Sequence, residues 1–179
     1  MSRKIRNDEL DRLTEDQFIK SAKTPLVIVL DNVRSLNNVG SVFRTADCYR
    51  VEKVLLCGIT ATPPHREIRK TALGASETVS WEYYEHTVDA IEHLKKKGYL
   101  TCAVEQAEES SSLNDFKLSS GEKIAVVLGN EVKGVDQKVV SACDKIIELK
   151  QYGTKHSLNI SVCTGIVIYD LFHKISALN

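Results

Sequence analysis

The 179-residue chain has few residues of several kinds: five cysteines, three prolines, one methionine and one tryptophan. Cys48, Cys57, Cys102, Cys143 and Cys163 are spread so that no two lie within four residues of each other. That excludes a zinc ribbon and a redox CxxC pair. The histidines form no HxxxH or HExxH pair, so a protein metal site is not expected. Net charge is absent too, with 24 Lys and Arg against 24 Asp and Glu. This balance excludes a basic nucleic-acid coat, an acidic tail protein and a chain disordered by its own charge. No apolar run approaches the roughly 20 residues of a membrane span. The opening stretch MSRKIRNDELDR is charged throughout and holds no apolar signal core, so the protein is expected in the cytosol. The chain also lacks a GxxxxGK[ST] phosphate loop, a GxGxxG fingerprint and a GxSxG elbow. Nucleotide hydrolysis, nicotinamide chemistry and α/β-hydrolase chemistry therefore lose support.

What is present is an alternation of β-rich and helical stretches. Short β-rich runs lie at 26–30, 53–57, 79–83, 99–104, 124–128 and 145–149; continuous apolar character, rather than strict alternation, suits strands covered on both faces of a parallel sheet. Helical patterns lie between or after them at about 38–50, 86–97, 135–142 and 157–176. The rhythm predicts one α/β domain with helices on both sides of the sheet. At this length a chain buries roughly 70% of its unfolded surface, enough to need no staple. Cys57 and Cys102 fall inside strand runs and read as small buried hydrophobes. Residues 3–20 read as an amphipathic helix restarted by a capping box at Thr14–Gln17. The final helix is apolar nearly all round, from Leu158 through Val162, Ile166 and Tyr169 to Phe172. Such a helix is buried on several sides, as a central core helix or a subunit interface, and a homodimer using it is expected.

Ligands of open α/β sheets bind beyond the carboxyl ends of the strands, and three segments there carry chemistry. The first, Asp31–Ala46, enters a helix that Asn37 or Asn38 can cap. Its Val39, Val42, Phe43 and Ala46 mark a core face, and Arg44 lies opposite. That arginine is either a solvated side chain or a grip for a phosphate or developing oxyanion. In the second, strand 124–128 ends in Gly129-Asn130-Glu131-x-x-Gly134, where glycines permit tight turns and close approach of a ligand to the backbone. In the third, Leu149 leads through a polar loop to Ser157, Leu158 and Asn159. Ser157 is a plausible helix cap, whereas an amide at Asn159 in an apolar turn calls for specific partners. His156 has no nucleophile paired with it and reads as a loop residue.

In this order and at these separations, Asn38-x-Gly40-x-x-x-Arg44-Thr45-Ala46, Leu128-Gly129-Asn130-Glu131-x-x-Gly134 and Gly153-x-x-x-Ser157-Leu158-Asn159-Ile160-Ser161-Val162 resemble the three motifs of the SpoU (TrmH) family of RNA 2′-O-ribose methyltransferases, within the SPOUT superfamily. The resemblance spans about residues 25–175. It implies a mostly parallel α/β sheet with a C-terminal trefoil knot, S-adenosyl-L-methionine bound in the knot, and a homodimer with the site near its interface. An N-terminal helical arm, 1–24, would precede the methyltransferase domain, 25–179. Carried across, the cofactor would meet Glu105, Gln106, Leu128, Gly129, Asn130, Gly134, Leu149, Ser157 and Leu158. Arg44 would act at the ribose 2′-hydroxyl, with Asn38, Glu131, Ser157 and Asn159 shaping the site. An arginine is charged at neutral pH and a poor general base, so Arg44 is expected to position and polarise. Leu149-Lys150 stands where the family usually has Ile-Pro, which frees one backbone torsion and adds a charge.

The resemblance also implies an RNA partner, with tRNA favoured over rRNA because the chain has no room for the N-terminal RNA-binding domain of many rRNA-modifying relatives. Candidate RNA contacts are Arg3, Lys4 and Arg6 on the arm, otherwise a solvated helix tip, and Arg66, Arg69 and Lys70 after Pro63-Pro64, otherwise a surface helix. The alternatives are a knotted RNA-binding protein without catalysis and an unrelated nucleotide-binding module. Charge balance over a whole chain leaves room for one basic face, whose affinity is modest and salt-sensitive.

Overall fold

Each apolar run of the sequence becomes a strand that serves two cores by alternation. Residues 2–178 are described by the computed structural model, and among them seven strands build one sheet. These are β1 (Thr24–Asp31), β2 (Val51–Cys57), β3 (Trp81–Tyr84), β4 (Tyr99–Val104), β5 (Ser111–Ser112), β6 (Lys123–Leu128) and β7 (Lys145–Glu148). Their order is β3-β2-β1-β6-β4-β7-β5, and every neighbouring pair is parallel. Leu26, Ile28 and Leu30 of β1 join Ile124, Val126 and Leu128 of β6 in one core. Val27 and Val29 join Ala125 and Val127 in the other. Burying one such Val, Leu or Ile contributes about 1.5–3 kcal/mol, so register is fixed on both faces at once.

The helices are α1 (Glu15–Lys20), α2 (Leu36–Cys48), α3 (Arg66–Ala72), α4 (Ala75–Thr78), α5 (Thr87–Lys96), α6 (Gln137–Ala142) and α7 (Ile160–Ala177). Phe43 of α2 and Ile168 and Leu171 of α7 belong to the first core, while Ile91 of α5 and Val139 of α6 belong to the second. Helices thus cover both faces, as expected. Because all strands are parallel, the carboxyl ends of β1, β6, β4 and β7 lie along one edge. Gly40 serves packing: a Cβ there would come within 2.1 Å of Thr71 Oγ1 and 2.4 Å of the Ile68 carbonyl. Only a residue without a side chain lets α3 approach α2 this closely.

Four expectations need correction. The N-terminal helix covers only 15–20, after a short 3-10 turn at Asn7–Glu9. The capping box at Thr14 does start it, with Gln17 N at 3.3 Å from Thr14 Oγ1 and Thr14 N at 2.9 Å from Gln17 Oε1. Upstream, Ile5 and Leu13 are exposed, so no apolar face supports a longer helix. In α2 the cap is Ser35, whose Oγ accepts from Asn38 N at 3.3 Å, and in α7 it is Asn159 rather than Ser157. The helix α7 is buried along one side only, through Ile160, Thr164, Val167, Ile168, Leu171 and Ile175. Val162, Ile166 and Tyr169 remain 52%, 43% and 55% exposed. By length and composition this 18-residue helix, of mean hydropathy 1.3, would also suffice to cross a membrane. Its inner face is instead packed against α2 and β1. The strand β5 has no sequence signature, being two serines that extend the ladder at β7.

Candidate active site

The loops after β1 and β6 are tied together by reciprocal carboxylates. Glu131, in the loop after β6, accepts from the backbone N–H of Arg34 at 3.0 Å and Ser35 at 2.9 Å, and from Asn38 Nδ2 at 3.1 Å. Asp31, at the end of β1, accepts from the N–H of Asp136 at 3.0 Å, from Thr87 Oγ1 at 2.5 Å and from Asn32 Nδ2 at 2.9 Å. Asn130 fixes the turn between them: its Oδ1 accepts from the N–H of Val132 and Lys133 at 2.9 and 3.1 Å, and its Nδ2 donates to the Asn32 carbonyl at 2.8 Å. Asn130 and Gly134 exchange backbone hydrogen bonds at 2.9 Å in both directions. This closure needs Gly129, where a Cβ would lie 2.1 Å from Gly134 C and Val135 N.

The third segment joins through Asn38. Its Oδ1 accepts from Asn159 Nδ2 at 3.3 Å, while Asn159 Oδ1 accepts from Ser161 N at 2.9 Å and Ser161 Oγ at 2.6 Å. The chain Glu131–Asn38–Asn159 therefore connects all three polar segments through side chains. Desolvation raises the Glu131 pKa, but the donors from Arg34, Ser35 and Asn38 outweigh it and leave the carboxyl below its ordinary value. Glu131 is thus a fixed anion at neutral pH.

Beside this network lies a cavity of about 440 Å³, the size of a small-ligand site. Val104, Leu128, Leu149, Leu158 and Ile160 supply apolar wall, and Glu105, Gln106, Glu131, Ser157 and Asn159 supply polar groups. Glu105 braces the β6 loop, Oε2 accepting from Val135 N at 2.9 Å and Oε1 from Gln106 N at 2.9 Å. Gln106 Nε2 donates to the His156 carbonyl at 3.1 Å, which ties the segment after β4 to the loop after β7, both of which line the cavity. Burial, with help from Glu105, pushes the Cys163 thiol up to about 11, so it lines the cavity as a neutral group.

All nine residues expected to meet a cofactor line this one cavity. Glu131, Ser157 and Asn159 line it as well, and Asn38 reaches it through hydrogen bonds. Arg44 is not brought there. It is exposed on α2, about 9 Å of helix rise beyond Asn38. Lys150 is exposed, while Leu149 and Gln151 on either side of it line the cavity. The expected basic contacts are dispersed: Arg3 and Arg6 both pair with Glu9, at 2.7 and 3.1 Å, and Arg69 pairs with Glu77 at 3.3 Å. Lys4, Arg66 and Lys70 are exposed. Sequence reasoning missed Val104, Val132, Lys133, Gln151, His156, Ile160 and Cys163 in the lining. Ile160 and Cys163, three residues apart on the first turn of α7, had a readable signal in their helical spacing. No cluster of potential metal ligands occurs among the described residues.

Fold and site define an α/β protein with a ligand-sized cavity at the carboxyl edge of a parallel sheet. The chain belongs to the SpoU rRNA Methylase family, whose model matches residues 25–169. It is 29% identical over 163 residues to a putative TrmH family tRNA/rRNA methyltransferase of Staphylococcus haemolyticus, covering 89% of this chain and 64% of that protein. It is 28% identical over 166 residues to the 23S rRNA (guanosine-2′-O-)-methyltransferase RlmB of Pasteurella multocida, covering 93% and 67%. The chain thus spans about two thirds of the length of these relatives. Among solved structures, the TrmH/SpoU tRNA modifying enzyme of A. aeolicus superposes with a TM-score of 0.79 at 24% identity, covering 89% of this chain and 80% of that one. The AdoMet-bound rRNA methyltransferase of Sinorhizobium meliloti superposes with a TM-score of 0.76 at 23% identity, covering 87% and 58%.

Proposed function

We propose that the protein transfers a methyl group from S-adenosyl-L-methionine to a ribose 2′-hydroxyl of tRNA or rRNA. The observation that carries this reading is the Glu131–Asn38–Asn159 chain, which assembles the three family motifs at the rim of one cavity. The named activity of the Pasteurella relative agrees with it.

The lining suits the cofactor: apolar side chains at Leu128, Leu149 and Leu158 offer a slot for a flat base, and backbone at Gly129, Leu149 and Leu158 offers it hydrogen bonds. When bound, S-adenosyl-L-methionine supplies a methyl group on a sulfonium, open to an oxygen nucleophile. The protein's own work is alignment, on which such a displacement depends strongly. Glu131, held as an anion, fixes the turn at Arg34-Ser35 and the amide of Asn38; Asn38 in turn orients Asn159 and the start of α7. An arginine is a poor general base. We assign Arg44 to the phosphate beside the target ribose and to the alkoxide developing there, as a cation that the exposed face of α2 presents to the RNA rather than one held in the cavity. The exposed stripe of Val162, Ile166 and Tyr169 is assigned to a homodimer interface that encloses the site. The return of the chain from β7 to α7, packed on β1 and α2, is assigned to a trefoil knot.

The test is incubation with labelled S-adenosyl-L-methionine and, separately, unfractionated tRNA and rRNA, followed by mapping of the labelled ribose. Transfer to a 2′-oxygen is expected, lost in Arg44→Ala protein of unchanged fold. Near wild-type transfer by that variant would sink the role of Arg44, and saturable cofactor binding without transfer would favour a protein that has lost catalysis.

A further inference from the structure

A second cavity, of about 400 Å³, lies on the far side of the β6 loop and shares Asn130, Val132, Lys133 and Gly134 with the first. Its separate wall includes Arg34 and Ile59. Neither Arg34 nor Lys133 forms an ion pair among the described residues, and both are exposed. The two acids of the wall are committed unequally, Asp31 being buried while Asp136 is exposed and gives one oxygen to the chain. Asp31 is 1% exposed with three donors on its oxygens, and Asp136 caps α6 by accepting from Lys138 N at 2.9 Å. The same cavity presents two uncovered apolar side chains, Ile59 at 66% and Val132 at 77% exposure. Next to Ile59, the exposed Tyr83 ring is anchored by its hydroxyl, which donates to the Gly58 carbonyl at 3.0 Å.

Free cations beside an uncovered apolar surface are what a nucleotide requires, since phosphate oxygens pair with Arg and Lys while a base face lies against apolar or aromatic groups. We infer that this second cavity holds one nucleotide of the substrate RNA, with its phosphate on Arg34 and Lys133 and its base against Ile59 and Val132. This rests on the methyltransferase reading for the choice of RNA as partner. The Arg34 amide is bound by Glu131, so the nucleotide's anchor is tied to the network that orders the cofactor side. The occupant's position therefore sets the register of the RNA on the protein, apart from the chemistry of the target ribose.

Arg34 and Ile59 line only the second cavity, so their variants separate the two sites. RNA affinity of wild type, Arg34→Ala and Ile59→Ser would be measured with unfractionated tRNA and with rRNA at 50 and 200 mM salt, beside a cofactor titration and a thermal melt. Removing one phosphate contact lowers the salt slope by about one, so the loss in Arg34→Ala is expected to be about threefold larger at 50 than at 200 mM. The Ile59→Ser variant should weaken binding by about fivefold at both, and cofactor affinity should match wild type in both variants. Unchanged RNA affinity and slope in folded variants would overturn the site, as would a fall in cofactor affinity of equal size. A wild type that binds RNA with these variant effects yet transfers no methyl would overturn the catalytic reading and leave the site standing. A wild type that binds neither RNA would overturn both.

Discussion

Asp31 and Glu131 do the same work from opposite ends. Each carboxylate reaches from one loop of the sheet edge to the other and accepts three hydrogen bonds, backbone amides among them. They differ in setting. Asp31 is 1% exposed at the end of a central strand, whereas Glu131 is exposed at the cavity rim. A buried acceptor cannot be replaced by water, so its loss strands its donors; an exposed one can be, so its loss chiefly frees the geometry it imposed. The difference implies that Asp31 holds the fold of the site and Glu131 its alignment.

Asp31→Ala should therefore have the largest effect, a loss of about 3 kcal/mol in urea unfolding, or a fall in melting temperature of about 6–12 °C. Glu131→Ala should lower methyl transfer by about 100-fold, as misplacement near 1 Å does, while shifting the melting temperature by only a few degrees. Glu131→Gln, which keeps one acceptor oxygen, should recover part of the rate. If Glu131→Ala proved the more destabilising of the two alanine variants, the contrast would be wrong.

Between these extremes stands Gly134, with φ of +70° and no room for a Cβ, which would fall 2.2 Å from Glu105 Oε2. Gly134→Ala strains the backbone and dislodges the carboxylate that holds Val135 N. The expected cost is about 1–2 kcal/mol, with weaker cofactor binding in a titration. A neutral result would mean that the loop re-forms without Glu105.

The legible parts of the molecule follow from burial. Strands buried on both faces must be continuously apolar, so the central ones stand out in the sequence, whereas β3 at the sheet edge has no buried residue; parallel strands place their polar carboxyl ends together. Caps were less legible because several candidates crowd each helix start. Asn38 lies at the third position inside α2, where its own N–H is the one that Ser35 caps, and its side-chain amide is left for Glu131 and Asn159. Glu131, Asn38 and Asn159 stand in recognisable motifs, but what joins them are contacts across 93 and 121 residues of chain, which no local pattern encodes. Arg34 carries no local signal, because its use depends on a cavity that only the folded loops create.

The smallest effect is the pH dependence of Glu131. Partial desolvation at the rim alone would raise its carboxyl, but the N–H groups of Arg34 and Ser35 and the amide of Asn38 hold the folded value below the ordinary 4.5. The unfolded chain then binds the proton more readily than the folded one, so the carboxylate contributes stability at neutral pH. That contribution is complete above the unfolded value and fades as pH falls through the folded one. Exposure keeps it small, since water screens the charge. A glutamine amide does not titrate, so the stability difference between wild type and the Glu131→Gln variant isolates it. Measured by urea unfolding, that difference should be flat from pH 8 to about 6 and shrink below the ordinary carboxylate value; a difference that grew on acidification would mean that desolvation, not hydrogen bonding, governs Glu131.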